Sequence, residues 1–233
     1  MSKIKFPLYK VLILITILAV PGFLYYLLQA KGKNRYKPLS IYGEKQVAST
    51  FKTKRGVKIP DTIYHTIPNL KFISVDGDSI NFNSLKGDLL IVNFFYSSDS
   101  LITPKVNQVI SGLNKEFENN KLIKFVSISV DSKGDNVEIL KNYAKNIGAK
   151  SGKWEILNAD STITYPWIRN QFFVNVLENK EGGFVFSDKF ILLDAELRIR
   201  GYYVATSFEE IKRLSEELKV LITEELRKIK AEF

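Results

Sequence analysis

The sequence predicts an α/β fold: a central mixed sheet with helices on both faces, preceded by one transmembrane helix. Three observations predict it. Residues 11–28 form an uncharged run rich in Val, Leu, Ile, Phe and Tyr. From residue 60 onward, strand-like and helix-like patterns alternate along the chain. One of those strands, 89–96, is apolar at every position except Asn93, as a strand buried on both faces must be.

At 1.5 Å per residue the first run reaches about 27 Å, enough to cross a hydrocarbon core with Gln29 and Ala30 at its edge. Tyr25 and Tyr26 stand near its end, where aromatic rings favour the interface. Pro21 and Gly22 interrupt it, which a spanning helix tolerates with a kink. No A-x-A-like cleavage site follows, so a retained anchor is preferred to a cleaved signal peptide. The expected organisation is an anchor over 1–30, a basic linker over 31–59 and one domain over 60–233. Orientation is undecided on charge: Lys3, Lys5 and Lys10 precede the run, and Lys31, Lys33, Arg35 and Lys37 follow it.

The segment 40–59 is polar and basic without clear periodicity, the pattern of a linker. Two short runs, 70–75 and 80–82, flank Asp76-Gly77, a turn pair of β-hairpins. After the central strand, Val106, Val109, Ile110, Leu113 and Phe117 fall on one helical face, with Thr103 and Pro104 as cap and first residue. A strand over 123–130 follows. Asp135 with Glu138 has the spacing of a capping box, opening a helix that turns Val137, Leu140, Ala144 and Ile147 inward and stops at Gly148.

A short strand, 154–157, leads into a mixed segment, 161–173, whose helix must accommodate Pro166. The runs 190–193 and 198–203 read as a terminal hairpin. Ser207 and Glu210 then cap a last helix with Ile211, Leu214, Leu218, Leu221, Leu226 and Ile229 on its inner side. This order of elements is compatible with a thioredoxin-like fold carrying an N-terminal extension and an insertion.

Composition narrows the chemistry. The chain of 233 residues holds no cysteine, one methionine and one histidine, His65. Disulfides, thiol redox steps and soft-ligand copper binding are excluded. The net charge of +9 gathers around the apolar run and on the last helix, without the aromatic interleaving of a single-strand binder. A membrane surface accounts for it more simply than nucleic acid. No G-x-S-x-G elbow, phosphate loop or H-E-x-x-H motif occurs, so no enzymatic activity and no cofactor are expected. Asp76-Gly77-Asp78 lacks the further ligands of a calcium loop.

The run Phe94-Phe95-Tyr96-Ser97-Ser98-Asp99-Ser100-Leu101-Ile102-Thr103-Pro104-Lys105 resembles the active-site segment of the Sco family. Those are membrane-anchored thioredoxin-fold proteins that deliver copper during assembly of cytochrome c oxidase. Tyr64-His65-Thr66-Ile67-Pro68, Ser129-Val130-Asp131, Gly148-Ala149-Lys150 and the stretch 187–203 are similar to the family as well. The family segment reads C-P-x-x-C-P, and copper is held by its two cysteines and a distant histidine. Carried over, those positions are Asp99, Thr103 and Phe186. A carboxylate, a hydroxyl and a phenyl ring do not replace such donors.

Each replacement also has a purely structural role: Thr103 as helix cap, Phe186 as filler packed near Phe184 and Phe95, Asp99 solvated before a helix N-terminus. Asp99 with Asp188 would make a poor calcium cage, and His65 lacks a second soft ligand. The resemblance implies a soluble body on the extracytoplasmic side of a membrane. It also implies a partner-binding factor in oxidase assembly, whose candidate face is Ser98, Asp99, Ser100, Phe186 and Asp188. The partners implied are oxidase subunits or a cysteine-bearing Sco paralogue. Two alternatives stay open: a structural subunit of another envelope membrane complex, and a metallochaperone whose ligands come from a partner.

Overall fold

The computed structural model describes residues 8–31, 38–54, 56–179 and 183–231. The chain divides into two units, Met1–Lys37 and Pro38–Phe233. The first contributes one helix, α1 (Leu8–Lys31), which carries Pro21 in its interior. Among the described residues no helix is long and apolar enough to cross a membrane. Of the cations flanking the run, those at 3, 5, 33, 35 and 37 lie outside the described residues.

The second unit is built on a seven-stranded sheet. Its strands are β3 (Lys71–Ser74), β4 (Ser79–Asn81), β5 (Leu89–Phe95), β6 (Ile123–Ser129), β7 (Trp154–Asn158), β10 (Lys189–Leu193) and β11 (Ile199–Val204). Their order is β11-β10-β5-β6-β7-β3-β4. β5, β6 and β7 run parallel, while β10 and β3 add antiparallel on either side. β5 lies inside the sheet, between β10 and β6, and is buried at every position. The two-residue period of a strand sends Leu90, Val92 and Phe94 to one face, and Leu89, Ile91 and Phe95 to the other.

Each face has its own helical cover. Helices α2 (Thr103–Glu116), α3 (Val137–Ile147) and α5 (Phe208–Ala231) pack on the Phe95 face through Val106, Ile110, Leu113, Leu140, Ala144, Leu214, Leu218 and Leu221. Helix α4 (Ser161–Gln171) covers the Phe94 face with Trp167 and Ile168, and Phe172 follows it into an aromatic cluster with Phe72, Phe82 and Phe94. The expected mixed sheet with helices on both faces is therefore present.

Several expectations are corrected. The segment read as an unstructured linker forms a hairpin of β1 (Lys45–Lys54) and β2 (Val57–Tyr64), turning at Gly56 with φ +80°. It makes a separate two-stranded sheet, so no buried face imposed the apolar alternation by which strands are read. A second small hairpin, β8 (Val176–Glu178) and β9 (Phe184–Phe186), was equally without signal at three residues per strand. In α3, Asn136 is the cap, accepting the Ile139 amide at 3.0 Å, and Val137 is exposed. In α5 the inner stripe passes from Leu221 to the buried Glu225, leaving Leu226 and Ile229 exposed. A strict helical turn brings i+4, not i+5, to the same face.

Candidate functional site

The C-terminal ends of the parallel strands β5 and β6 stand side by side, with Phe95 opposite Ser129. Beyond β5 the chain makes a tight loop before entering α2 with Pro104 in its first turn. Asp99 organises that loop. Its carboxylate accepts the amides of Leu101 at 2.9 Å, Ile102 at 3.1 Å and Thr103 at 2.7 Å. The last two are N–H groups that a helix N-terminus leaves without intrahelical partners.

Asp99 is thus the capping side chain. Thr103, expected as the cap, is instead the first helical residue; it is buried, and its hydroxyl leans toward the same carboxylate without reaching hydrogen-bond geometry. Asp99 is also buried rather than solvated. Burial works to raise its pKa, but the amide bonds outweigh it and hold the carboxyl below the usual carboxylate range.

A second carboxylate supports the loop from beneath. Asp135 is 1% exposed and, among the described residues, has no cationic partner; it accepts the Ser97 amide at 3.1 Å and the hydroxyls of Ser97 and Ser129. Ser129 in turn accepts the Asp131 amide at 3.1 Å, and the Asp135 carbonyl accepts the Asn158 side-chain amide at 2.6 Å. The spacing to Glu138 suggested a cap for this residue, whereas it ties the loop after β5 to the loop after β6. A usable signal was present: polar residues closing two adjacent apolar strands mark the edge where α/β folds place their sites.

Phe186, at the end of β9, is partly buried and meets the Tyr96 ring edge-on at 5.7 Å. Phe184 tilts against the same ring at 5.1 Å. The expected packing beside Phe184 and Phe95 is therefore corrected in one partner, because Phe95 points to the other face and stacks on Tyr143 at 4.9 Å. Burial, with the nearby Asp99 charge, raises the Tyr96 phenol above its ordinary pKa. The Asp99 amide donates to the Tyr96 carbonyl at 3.2 Å, so ring and loop are one assembly.

Ser98 and Ser100 are exposed on this loop. Asp188 follows β9, and its carboxylate accepts the Thr206 hydroxyl at 3.0 Å. His65 is partly buried and donates through Nε2 to the Gln171 carbonyl at 2.9 Å.

The donor set does not fit copper. Asp99 has its oxygens committed to three amides, Thr103 offers a hydroxyl, and Phe186 offers no donor. Among the described residues no cluster of three His, Cys, Asp or Glu is arranged to hold a metal. No step through copper follows from these residues.

The SCO1/SenC family profile matches residues 62–223. A SCO1 protein homolog of Bacillus subtilis is 23% identical over 128 residues, which make up 54% of this chain and 66% of that protein, just under two thirds of its length. A SCO1/SenC family lipoprotein of Bacillus anthracis superposes with a TM-score of 0.63 at 21% identity, covering 68% of this chain and 95% of that one. Arabidopsis thaliana ScoI with copper bound gives 0.56 at 20% identity over 69% and 98% of the two chains. BsSco, a member of the Sco family of cytochrome c oxidase assembly proteins, gives 0.59 at 19% over 68% and 94%. The fold these share is the one described above, and by the extent of the profile match this chain belongs to the SCO1/SenC family.

Proposed function

We propose that this chain is a membrane-anchored Sco-family protein that handles neither copper nor thiols and acts, without catalysis, as a partner-binding factor in cytochrome c oxidase assembly. One observation carries the reading. The loop that the family resemblance pairs with a ligand-bearing segment is kept in shape by Asp99 and Asp135, while it carries no soft ligand. A loop without donors that is nonetheless held by two buried carboxylates is suited to presenting a surface. Ser98, Asp99, Ser100, Phe186 and Asp188 are the candidate face.

Anchoring by α1 is part of the proposal. Successive apolar residues Leu12, Ile13, Leu14 and Ile15 are all exposed, so the helix is apolar on every side, as lipid requires. The lipoprotein relative supports membrane association, and the family resemblance supports a body on the extracytoplasmic side.

The test is affinity purification of the full chain from its native membrane in mild detergent. Haem–copper oxidase subunits or a cysteine-bearing Sco paralogue are the expected companions, and deletion of the gene is expected to lower oxidase activity. A stoichiometric complex lacking oxidase subunits would instead make the chain a structural subunit of that complex. Tight one-to-one Cu(I) binding by the purified protein would overturn the copper-free part of the reading.

A further inference from the structure

The β1–β2 hairpin stands apart from the seven-stranded sheet, and its distal half is exposed on both faces. Directly paired residues share a face, so the register places Phe51, Pro60, Thr53 and Lys58 on one side, and Lys52, Ile59 and Val57 on the other. Val47 is 79% exposed, Phe51 60% and Val57 62%, values that leave these side chains without protein cover. From Lys45 to Pro60 the sequence contains Lys and Arg but no Asp or Glu, and the one acid of β2, Asp61, pairs with Lys52 at 3.1 Å. A flat protein partner would select one apolar face; here apolar and cationic side chains project together from both. That distribution suits a medium that surrounds the tip, with rings and aliphatic groups at the acyl boundary and ammonium groups among headgroups.

The base of the hairpin is fixed: Arg200 donates to the Leu39 carbonyl at 2.9 Å, and Glu224 accepts the Leu39 amide at 2.7 Å, so the chain is pinned immediately before the hairpin. We propose that the β1–β2 hairpin docks on an anionic phospholipid surface, inserting Phe51 and Val57 and pairing Lys58 with lipid phosphates. The inference rests on the anchored reading above.

The native absence of cysteine makes the test clean. The full chain carrying Thr53→Cys, labelled with an environment-sensitive fluorophore, is reconstituted into phosphatidylcholine vesicles with or without phosphatidylglycerol. Ile139→Cys on exposed α3 serves as control. The Thr53 label is expected to shift to the blue and be quenched by nitroxide lipids only when phosphatidylglycerol is present, with the control label unchanged. Added salt, or Phe51→Ser with Val57→Ser, should abolish the shift, and Lys58→Gln should lower the docked-to-free ratio about fivefold.

A chain that floats with both vesicle types while the label stays aqueous overturns the hairpin proposal and leaves the anchor standing. Flotation only with phosphatidylglycerol supports the hairpin and overturns the anchor, and flotation with neither overturns both. Energy transfer between differently labelled copies, without lipid quenching, would assign the hairpin to a second copy of the chain instead.

Discussion

The Asp99 carboxylate accepts the Thr103 amide at 2.7 Å, so these two residues hold each other as cap and helix start. Asp99→Ala removes the acceptor of three amides and should cost about 1–2 kcal/mol, with Asp99→Asn losing less. The carboxyl's pKa is depressed in the folded protein, so its stabilising contribution is present above the unfolded pKa and is lost as pH falls through the folded one. The stability gap between the native chain and Asp99→Asn, measured by denaturant unfolding in detergent, should hold at neutral pH and close below about pH 4.

Restoring the donors should restore the affinity. Asp99→Cys, Thr103→Cys and Phe186→His together place two thiols and an imidazole at one end of the sheet, the soft set that Cu(I) selects. The triple variant is expected to compete for Cu(I) with a bicinchoninate-type chelator while the native chain does not. Without metal it should be the less stable protein, having lost the Asp99 cap. If the variant folds and still fails to compete, the loop and β9 are not apposed as described.

How much of this could be read from sequence depends on what each residue packs against. The strand 89–95 and helix α2 were legible because their periodicity is imposed by a core on both sides or along one stripe. The β1–β2 hairpin was not, since neither face is buried against the core and no apolar alternation results. At the site, Thr103 was expected as the cap and Asp99 as a solvated residue, whereas Asp99 is the capping side chain and both are buried. A cap usually lies next to the helix it serves, whereas Asp99 reaches four residues ahead through a loop whose shape is a tertiary property. Asp135 was misread for a related reason: Asp followed by Glu three residues on has a cap's spacing, and only the parallel pairing of β5 with β6 puts Ser97 above it.

Phe186 covers Tyr96 from β9, and that cover has a titration consequence. Burial, and then the Asp99 charge, raise the phenol pKa. Phe186→Ala should admit water and move the titration of Tyr96 back toward 10, read by the ultraviolet difference spectrum against a Tyr96→Phe background. The stability loss should stay near 1 kcal/mol, because the ring is only partly buried. The same variant should reduce recovery of the partner in affinity purification; full recovery would remove Phe186 from the candidate face.

Arg200 is the residue whose loss should separate the start of the body from its core. It is 3% exposed and divides its donors among Asp194 at 3.1 Å, Glu224 at 2.6 Å and the carbonyls of Leu39 and Ser40. Removing one member of a buried charge network usually costs about 3–5 kcal/mol, because the others are left unpaired. Here Asp194 keeps Arg198 at 2.8 Å, and Glu224 keeps the Leu39 amide, so Arg200→Met should fall at the low end. Arg200→Lys should recover little, since one ammonium cannot serve acceptors lying in several directions. Hydrogen exchange on the full chain distinguishes local release from general destabilisation. Amides of 39–42 should lose protection in both variants, while those of β5 stay protected. Equal loss in β5 would mean that Arg200 supports the whole fold rather than the pin at Leu39.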